Sequence, residues 1–477
     1  MELCCLGYLV FQVLFALSRK GHSGVAALAG KYLPFKFIQD ATAGFLGAIP
    51  SWMYSSYGVG SYYGLLIILF FTAYLTAFKI FSKETVSLRF LILSSLLFCF
   101  TLFFFVPGKH HDIFLYIFQG KMVSFYGANP YFTRPAVFAE DNLFRFVGWG
   151  GFTSSYGPVW HLFSALLYRL GRDNIILEIA VFRAFIILCH LTNIYLIYHI
   201  LNKVRPGFRS AGTLLYAWNP LALIFASAGS TNDFLMLTFL LTGICLHLKK
   251  EVFLPAACFA LSALTKFSYI LFFPLYLKIL KNGRNIFLAS TVFLSVAVLA
   301  WLPFYAGPQS FLRPFWATGV LSHSFLFLLN FIVTLAAGEL FATVVANTVK
   351  IVLYLLFLTL FIFIFKKVRS LNAVLASCAV LLLILVCCVM PTWATWYVLW
   401  CMPFAVLSGA REIILPCMVF SFSALFSLIP YYFFHSYAPG FQILTLLLAL
   451  PLPLAAAVKM KTWRHILNET VGNSAGV

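Results

Sequence analysis

Acidic residues are the scarcest chemical resource in this chain, with 13 Asp and Glu against 32 Lys and Arg in 477 residues. Two of them, Asp112 and Asp233, stand where an apolar run meets a polar segment. An ionisable group at membrane depth is a functional candidate by default. Asp112 follows Lys109-His110-His111 and precedes Tyr116, Gln119 and Lys121, then Gly127-Ala128-Asn129-Pro130-Tyr131. A carboxylate at the lip of an apolar cavity can act as general base toward a hydroxyl. The same Asp suits the N-cap of a helix over 113–124, and the two roles are compatible. His110, His111 and Asp112 are metal-ligand types. Adjacent side chains rarely aim at one ion, however, and no fourth ligand has local spacing. The expectation is therefore no metal site and no cofactor, with a divalent ion left open.

Asn232-Asp233 follows Gly229-Ser230-Thr231 and opens a helix. Ser, Thr, Asn and Asp are all capping types, so this stretch also reads as a helix start. Arg183 lies early in an apolar helix, where a buried guanidinium needs a partner: a phosphate, or Asp233 or Glu178. Ser154-Ser155-Tyr156-Gly157-Pro158-Val159-Trp160 is a turn followed by an aromatic anchor. Pro391-Thr392-Trp393-Ala394-Thr395-Trp396-Tyr397 reads on its own as part of an aromatic belt. The 11 cysteines are scattered without CxxC or zinc spacing and serve as small apolar residues.

These residues need elements to position them. The chain is 62% hydrophobic and 9% charged, against roughly 25% charged in soluble domains. Its solvent is mostly lipid. Apolar runs near 62–81, 87–107, 175–200, 211–228, 233–248, 286–305, 340–365, 372–391, 396–410, 413–433 and 439–458 approach spanning length. With a first helix over 3–17, a shorter run at 323–336 and the 252–277 region, about 12–14 transmembrane or re-entrant helices are expected. The fold class is all-α, a polytopic integral membrane protein forming one domain over 1–477, with C-terminal helices over 340–458.

Orientation follows from the basic loops: Lys79, Lys83 and Arg89; Lys203, Arg205 and Arg209; Lys249 and Lys250; Lys278, Lys281 and Arg284; Lys366, Lys367 and Arg369. The positive-inside rule puts them all in the cytoplasm, with Arg19 and Lys20 as a mild violation. The net charge of +19 thus reads as loop topology and anionic headgroups rather than nucleic acid. The long 108–174 loop then lies outside, too aromatic for disorder and expected to carry short interfacial helices. Lys249/Lys250 and Lys278/Lys281 share a side, yet the stretch between them is too short for two spans of ~20 residues each. The solution is a re-entrant pair over 252–277 with its apex at Thr265-Lys266-Phe267. The alternative is one long tilted span with a snorkelling lysine, which would spoil the charge pattern downstream.

In this order the motifs resemble a known family. They are Asp112-Ile113-Phe114-Leu115-Tyr116 with Gln119-Gly120-Lys121, Gly127-Ala128-Asn129-Pro130-Tyr131, Tyr156-Gly157-Pro158-Val159-Trp160, Trp218-Asn219-Pro220-Leu221, Gly229-Ser230-Thr231-Asn232-Asp233, Leu264-Thr265-Lys266-Phe267-Ser268 and Thr395-Trp396-Tyr397. The chain is similar, over roughly 87–410, to integral-membrane glycosyltransferases of the GT-C class, in particular bacterial polyprenyl-phosphate-mannose-dependent α-mannosyltransferases. It departs from the usual pattern at His111 and Thr231. The resemblance implies a sugar, mannose by preference, moved with inversion from a polyprenyl-phosphate donor to an acceptor hydroxyl of an envelope glycan or glycolipid. It implies an extracytoplasmic site in a bacterial inner or plasma membrane. Asp112 becomes the catalytic base. Lys266, Arg183, Lys121 and His110 become donor-phosphate ligands, and Lys109 and Arg134 add charge. His111, Tyr116, Gln119, Asn129, Tyr131, Tyr156, Asn232, Asp233, Trp396 and Tyr397 line the sugar or acceptor site.

Two other classes compete. A transporter or flippase usually shows internal repeats and polar residues at mid-membrane. Here no repeat is visible and the polar residues gather at the outer lip. A lipid-linked glycan ligase or polymerase would use Arg and His in outer loops, for which His110, His111 and His323 are candidates.

Overall fold

The computed structural model describes residues 1–18, 55–105, 112–316, 321–434 and 438–461. Lys109, His110 and His111 lie outside the described residues, as do Arg19 and Lys20. Among the described residues the regular secondary structure is all helical, and one isolated bridge joins Ser322 to Thr392.

Several helices begin where a capping residue precedes an apolar run. α1 spans Glu2–Ser18. α2 (Ser56–Phe81) is capped by Ser55 and α3 (Leu88–Phe103) by Ser87. α4 (Asp112–Ser124) and α5 (Pro158–Gly171) occupy the stretch between α3 and the next long helix, separated by two 3-10 turns. α6 (Ile175–Val204) starts at Asn174, whose Oδ1 accepts from Ile176 and Leu177. The expected run at 211–228 is broken in two, α7 (Arg209–Ala217) and α8 (Pro220–Ala226). Pro220 lacks the N–H that a continuous helix needs, and Asn219 caps the second half. α9 (Asp233–His247), α10 (Phe253–Thr265), α11 (Phe272–Ile279) and α12 (Gly283–Trp301) follow. α13 (Phe325–Ala337) turns at Gly338, φ 86°, into α14 (Glu339–Lys367). The chain ends with α15 (Leu371–Ile384), α16 (Val398–Ser408), α17 (Arg411–Phe426), α18 (Ile429–Phe434), α19 (Pro439–Ala449) and α20 (Pro451–Lys459).

Among the described residues seven segments are long and apolar enough to cross a membrane, and seven shorter apolar helices accompany them. The expected 12–14 passes resolve into these two classes. A helix bears its backbone polar groups internally, so it is the element that tolerates lipid. α14 shows this directly: only 6% of its most apolar window is buried inside the protein.

The chain turns back at Lys266, the extended residue that ends α10. Phe259 of α10 packs against both Phe272 and Tyr276 of α11, at ring separations of 4.8 and 4.7 Å, so the second arm folds back against the first. α9 packs on α6, α10 and α16, and α10 packs on α5 and α12. α4 lies between α5 and α6, and every residue from Ile113 to Met122 is buried.

Gly120 sets the α4–α5 crossing, because a Cβ there would fall 2.3 Å from the carbonyl oxygen of Ser164. Gly120→Ala is therefore expected to cost about 1–3 kcal/mol as an overpacked contact. Gly283→Ala, where a Cβ meets nothing within 4 Å, is the near-neutral control. Thermal unfolding of the two detergent-solubilised variants tests the difference.

Candidate active site

α4 and α9 open beside one another, and each places a carboxylate at its first residue. Asp112 is inside the helix rather than capping it. Its Oδ2 accepts from Tyr156 Oη at 3.1 Å and from Tyr116 Oη at 3.3 Å. Tyr116 is one helical turn beyond Asp112, so it shares the same face. Its hydroxyl also lies 3.4 Å from Asn232 Oδ1. Burial pushes the Asp112 carboxyl above the ordinary carboxylate range, and the Tyr156 hydrogen bond and the Lys266 charge pull against that.

Asn232 holds the cap position of α9 but makes no capping bond, because its side chain turns toward Tyr116. Asp233 is fully buried, and its Oδ1 accepts from Lys266 Nζ at 2.8 Å and from Trp400 Nε1. The Lys266 ammonium also stands 5.0 Å from the centres of the Tyr397 and Trp400 rings, which stack on each other at 4.2 Å. A cation so enclosed is stabilised by charge and by ring quadrupoles together. Asn232 Nδ2, Asp233 Oδ2 and Trp160 Nε1 have no hydrogen-bond partner among the described residues. Trp160 packs edge-on against Tyr116 at 4.9 Å. Unpaired buried polar atoms are costly, and these three lie in the surroundings of Asp112, Tyr116 and Lys266.

Several residues expected to line the site make hydrogen bonds to the protein itself. Tyr131 Oη donates to the backbone carbonyl of Tyr156 at 2.9 Å. Asn129 accepts from the Tyr131 amide at 3.1 Å and donates to the Phe304 carbonyl at 2.8 Å. Gln119 accepts from Ser154 Oγ at 3.5 Å, and Ser154 Oγ in turn accepts from the Tyr156 amide at 3.1 Å. The Tyr156 loop meets the Lys266 turn through main chain: Gly157 N donates to Thr265 O at 3.2 Å. A Cβ at Gly157 would fall 1.9 Å from the Leu264 carbonyl oxygen, so the approach requires glycine.

The expected cations divide. Lys266 joins the carboxylates. Arg183 is fully buried and donates to the carbonyls of Phe103, Phe105 and Ala228, tying the C-terminal end of α3 to the strand of chain before α9. Lys121 bridges Asp141 at 2.6 Å and Asp173 at 2.7 Å, at the far end of α4. Arg134 is exposed. Trp396 is half-buried and packs on Phe225. Trp400 and Tyr269 are the residues that sequence reasoning missed. Tyr269 donates to the Trp400 carbonyl at 2.7 Å and so fastens α16 to the turn after Lys266. The one signal for Trp400 was its spacing, a helical turn past Trp396. Among the described residues no group of three His, Cys, Asp or Glu could hold a metal ion.

Lys266→Met leaves the buried Asp233 charge uncompensated and is expected to destabilise the protein by about 3–5 kcal/mol. Adding Asp233→Asn should recover most of that loss. A double-mutant cycle by thermal unfolding gives the coupling.

No curated protein and no solved structure matches the chain. Residues 21–281 match the MptA_B family, described as alpha-(1->6)-mannopyranosyltransferase, N-terminal domain. The match spans more than half of the 477 residues and takes in Asp112, Tyr156, Asn232, Asp233 and Lys266. An all-helical apolar chain with this match belongs to the MptA_B family, a GT-C-type mannosyltransferase family, and is a membrane mannosyltransferase.

Proposed function

We propose that the protein transfers mannose from a polyprenyl-phosphate carrier to the 6-hydroxyl of a mannose-containing glycan, with inversion, at an outward-facing site where Asp112 is the base. The observation that carries this reading is the Asp112 carboxylate, held by two tyrosine hydroxyls beside the Asp233–Lys266 pair. A lipid-borne donor suits a chain whose described residues are almost all apolar helix, because the carrier's tail stays in the bilayer while its head reaches the helix ends. The positive-inside reading of the basic loops, which assigns the long 108–174 loop to the other side, supports the outward face.

The acceptor hydroxyl gives its proton to Asp112. Its oxygen attacks the anomeric carbon, and the bond from that carbon to the phosphate oxygen breaks. The electron pair leaves with the lipid phosphate, and Lys266 faces the charge that develops there. An α-linked product formed with one inversion requires a β-linked donor phosphate. Tyr116 and Tyr156 orient the carboxylate so that one oxygen is engaged and the other is presented to the acceptor. Asn232 Nδ2 and Asp233 Oδ2 offer one donor and one acceptor to sugar hydroxyls. Arg183 and Lys121 hold the scaffold in this reading and do not meet the phosphate.

Asp112→Asn should abolish transfer from polyprenyl-phosphate mannose by membranes bearing the variant, while the protein still inserts; near-normal turnover would end the proposal. The base must be ionised to act, and burial raises its carboxyl. Activity is therefore expected to fall on acidification at a pH above the ordinary Asp value of about 3.9. Tyr156→Phe removes a hydrogen bond that favours the ionised form, so it should move this acid limb to still higher pH. A kcat/KM profile for the two proteins reads both expectations.

A further inference from the structure

At the far end of α4 from Asp112 the outer loop forms a cleft of about 250 Å³ lined by Lys121, Glu140, Asp141, Asn142, Leu143 and Asp173. It is a built site. The Lys121 and Asp141 side chains are 7% and 4% exposed, and they meet at 2.6 Å. Lys121 reaches Asp173 at 2.7 Å, Tyr126 Oη donates to Asp141 Oδ2 at 2.6 Å, and Tyr168 Oη donates to Asp173 Oδ1 at 2.8 Å. Asp173 is held at φ 65°, a strained value for a residue with a side chain.

The lining has three carboxylates and one ammonium. On a chain of net charge +19, this is a locally negative place that repels phosphate and anionic headgroups. Carboxylates and an amide are strong partners for hydroxyl groups. Beside them lies an aromatic shelf. Tyr126 stacks on Phe138 at 4.1 Å and 16°, and the Lys121 ammonium stands 5.4 Å from the Phe125 ring and 5.9 Å from the Tyr126 ring. Phe125 is 66% exposed and Tyr126 is 37% exposed. Exposed aromatic surface at Phe125 and Tyr126 next to carboxylates matches the two sides of a sugar, its C–H face and its hydroxyl edge. Lys121 lies nine positions beyond Asp112 on α4, which is roughly 13–14 Å at 1.5 Å per residue.

We propose that this cleft is a second carbohydrate subsite, which holds an uncharged sugar residue of the acceptor chain some way from the residue being extended. The proposal rests on the mannosyl-transfer reading and adds to it a measure of acceptor length. The shelf takes the ring, Glu140 and Asn142 take hydroxyls, and the Lys121 bridge keeps the cleft open. The enzyme then prefers an acceptor long enough to reach both places.

The test compares α-(1→6)-linked mannobiose and mannotetraose as acceptors. The wild-type protein should show a several-fold lower KM for the tetrasaccharide. Tyr126→Ala should remove most of that preference, and Glu140→Gln, an isosteric change at an exposed position, should weaken it without disturbing the fold. A wild-type protein indifferent to length, or a preference that survives both variants, overturns the proposal. Binding of mannotetraose to Asp112→Asn protein in nanodiscs, followed by saturation-transfer NMR, separates the two readings because it needs no turnover. Tyr126-dependent binding without transfer by the parent protein would sustain the subsite and sink the transfer mechanism. Calcium or magnesium binding at Asp141 and Asp173 that displaces mannotetraose regardless of Tyr126 would make the cleft a cation site and reject the sugar.

Discussion

The buried pair between Asp233 and Lys266 is the interaction on which the site depends. In a chain with so few acidic residues, placing a carboxylate at zero exposure at the start of α9 demands a cation at the same depth. That cation sits at a chain reversal, because a reversal brings a lysine to one end of a helix pair whose other end is far away. Trp400 and Tyr397 close around the ammonium and commit α16 to the same point. Four parts of the fold, α9, the α10–α11 turn, α16 and the loop before α5, therefore converge on one pair of charges. Asp112 inherits its surroundings from that convergence.

Much of this was legible in the sequence because charge is rare in lipid. The spacing of Lys249/Lys250 and Lys278/Lys281 marks a turn between them, and the chain turns at Lys266. The scarcity of carboxylates singles out Asp112 and Asp233. The partners of buried cations were less legible. Arg183 reads as phosphate-binding or ion-paired, but a guanidinium has five donors and a helix end has several unpaired carbonyls, and the latter are what it meets. Lys121 finds two carboxylates from 20 and 52 residues further along the chain, a distance over which no local pattern operates.

The aromatic and amide residues show a second reason for the gap between type and role. Asn129, Tyr131 and Gln119 have the chemistry of sugar ligands, and their hydrogen bonds in fact run to backbone or to Ser154. Residue type alone cannot distinguish a group that touches a substrate from one that holds the group that does. Trp400 is the converse: it reads as one more apolar residue in a helix, yet its indole N–H completes the shell of Asp233. Reading 211–228 as one run overlooked the split at Asn219-Pro220, where the proline interrupts the helical ladder.

The junction between the Tyr156 loop and the Lys266 turn is made of main-chain atoms, Gly157 against Leu264 and Thr265. A seam of this kind is indifferent to the side chains on either side of it. The spacing between the Tyr156 loop and the Lys266 turn is thereby insulated from changes in what surrounds them. Side chains around the seam can change while the main-chain frame between the Tyr156 loop and the Lys266 turn keeps its dimensions. The burden falls on one position, 157, where any residue larger than glycine closes that freedom.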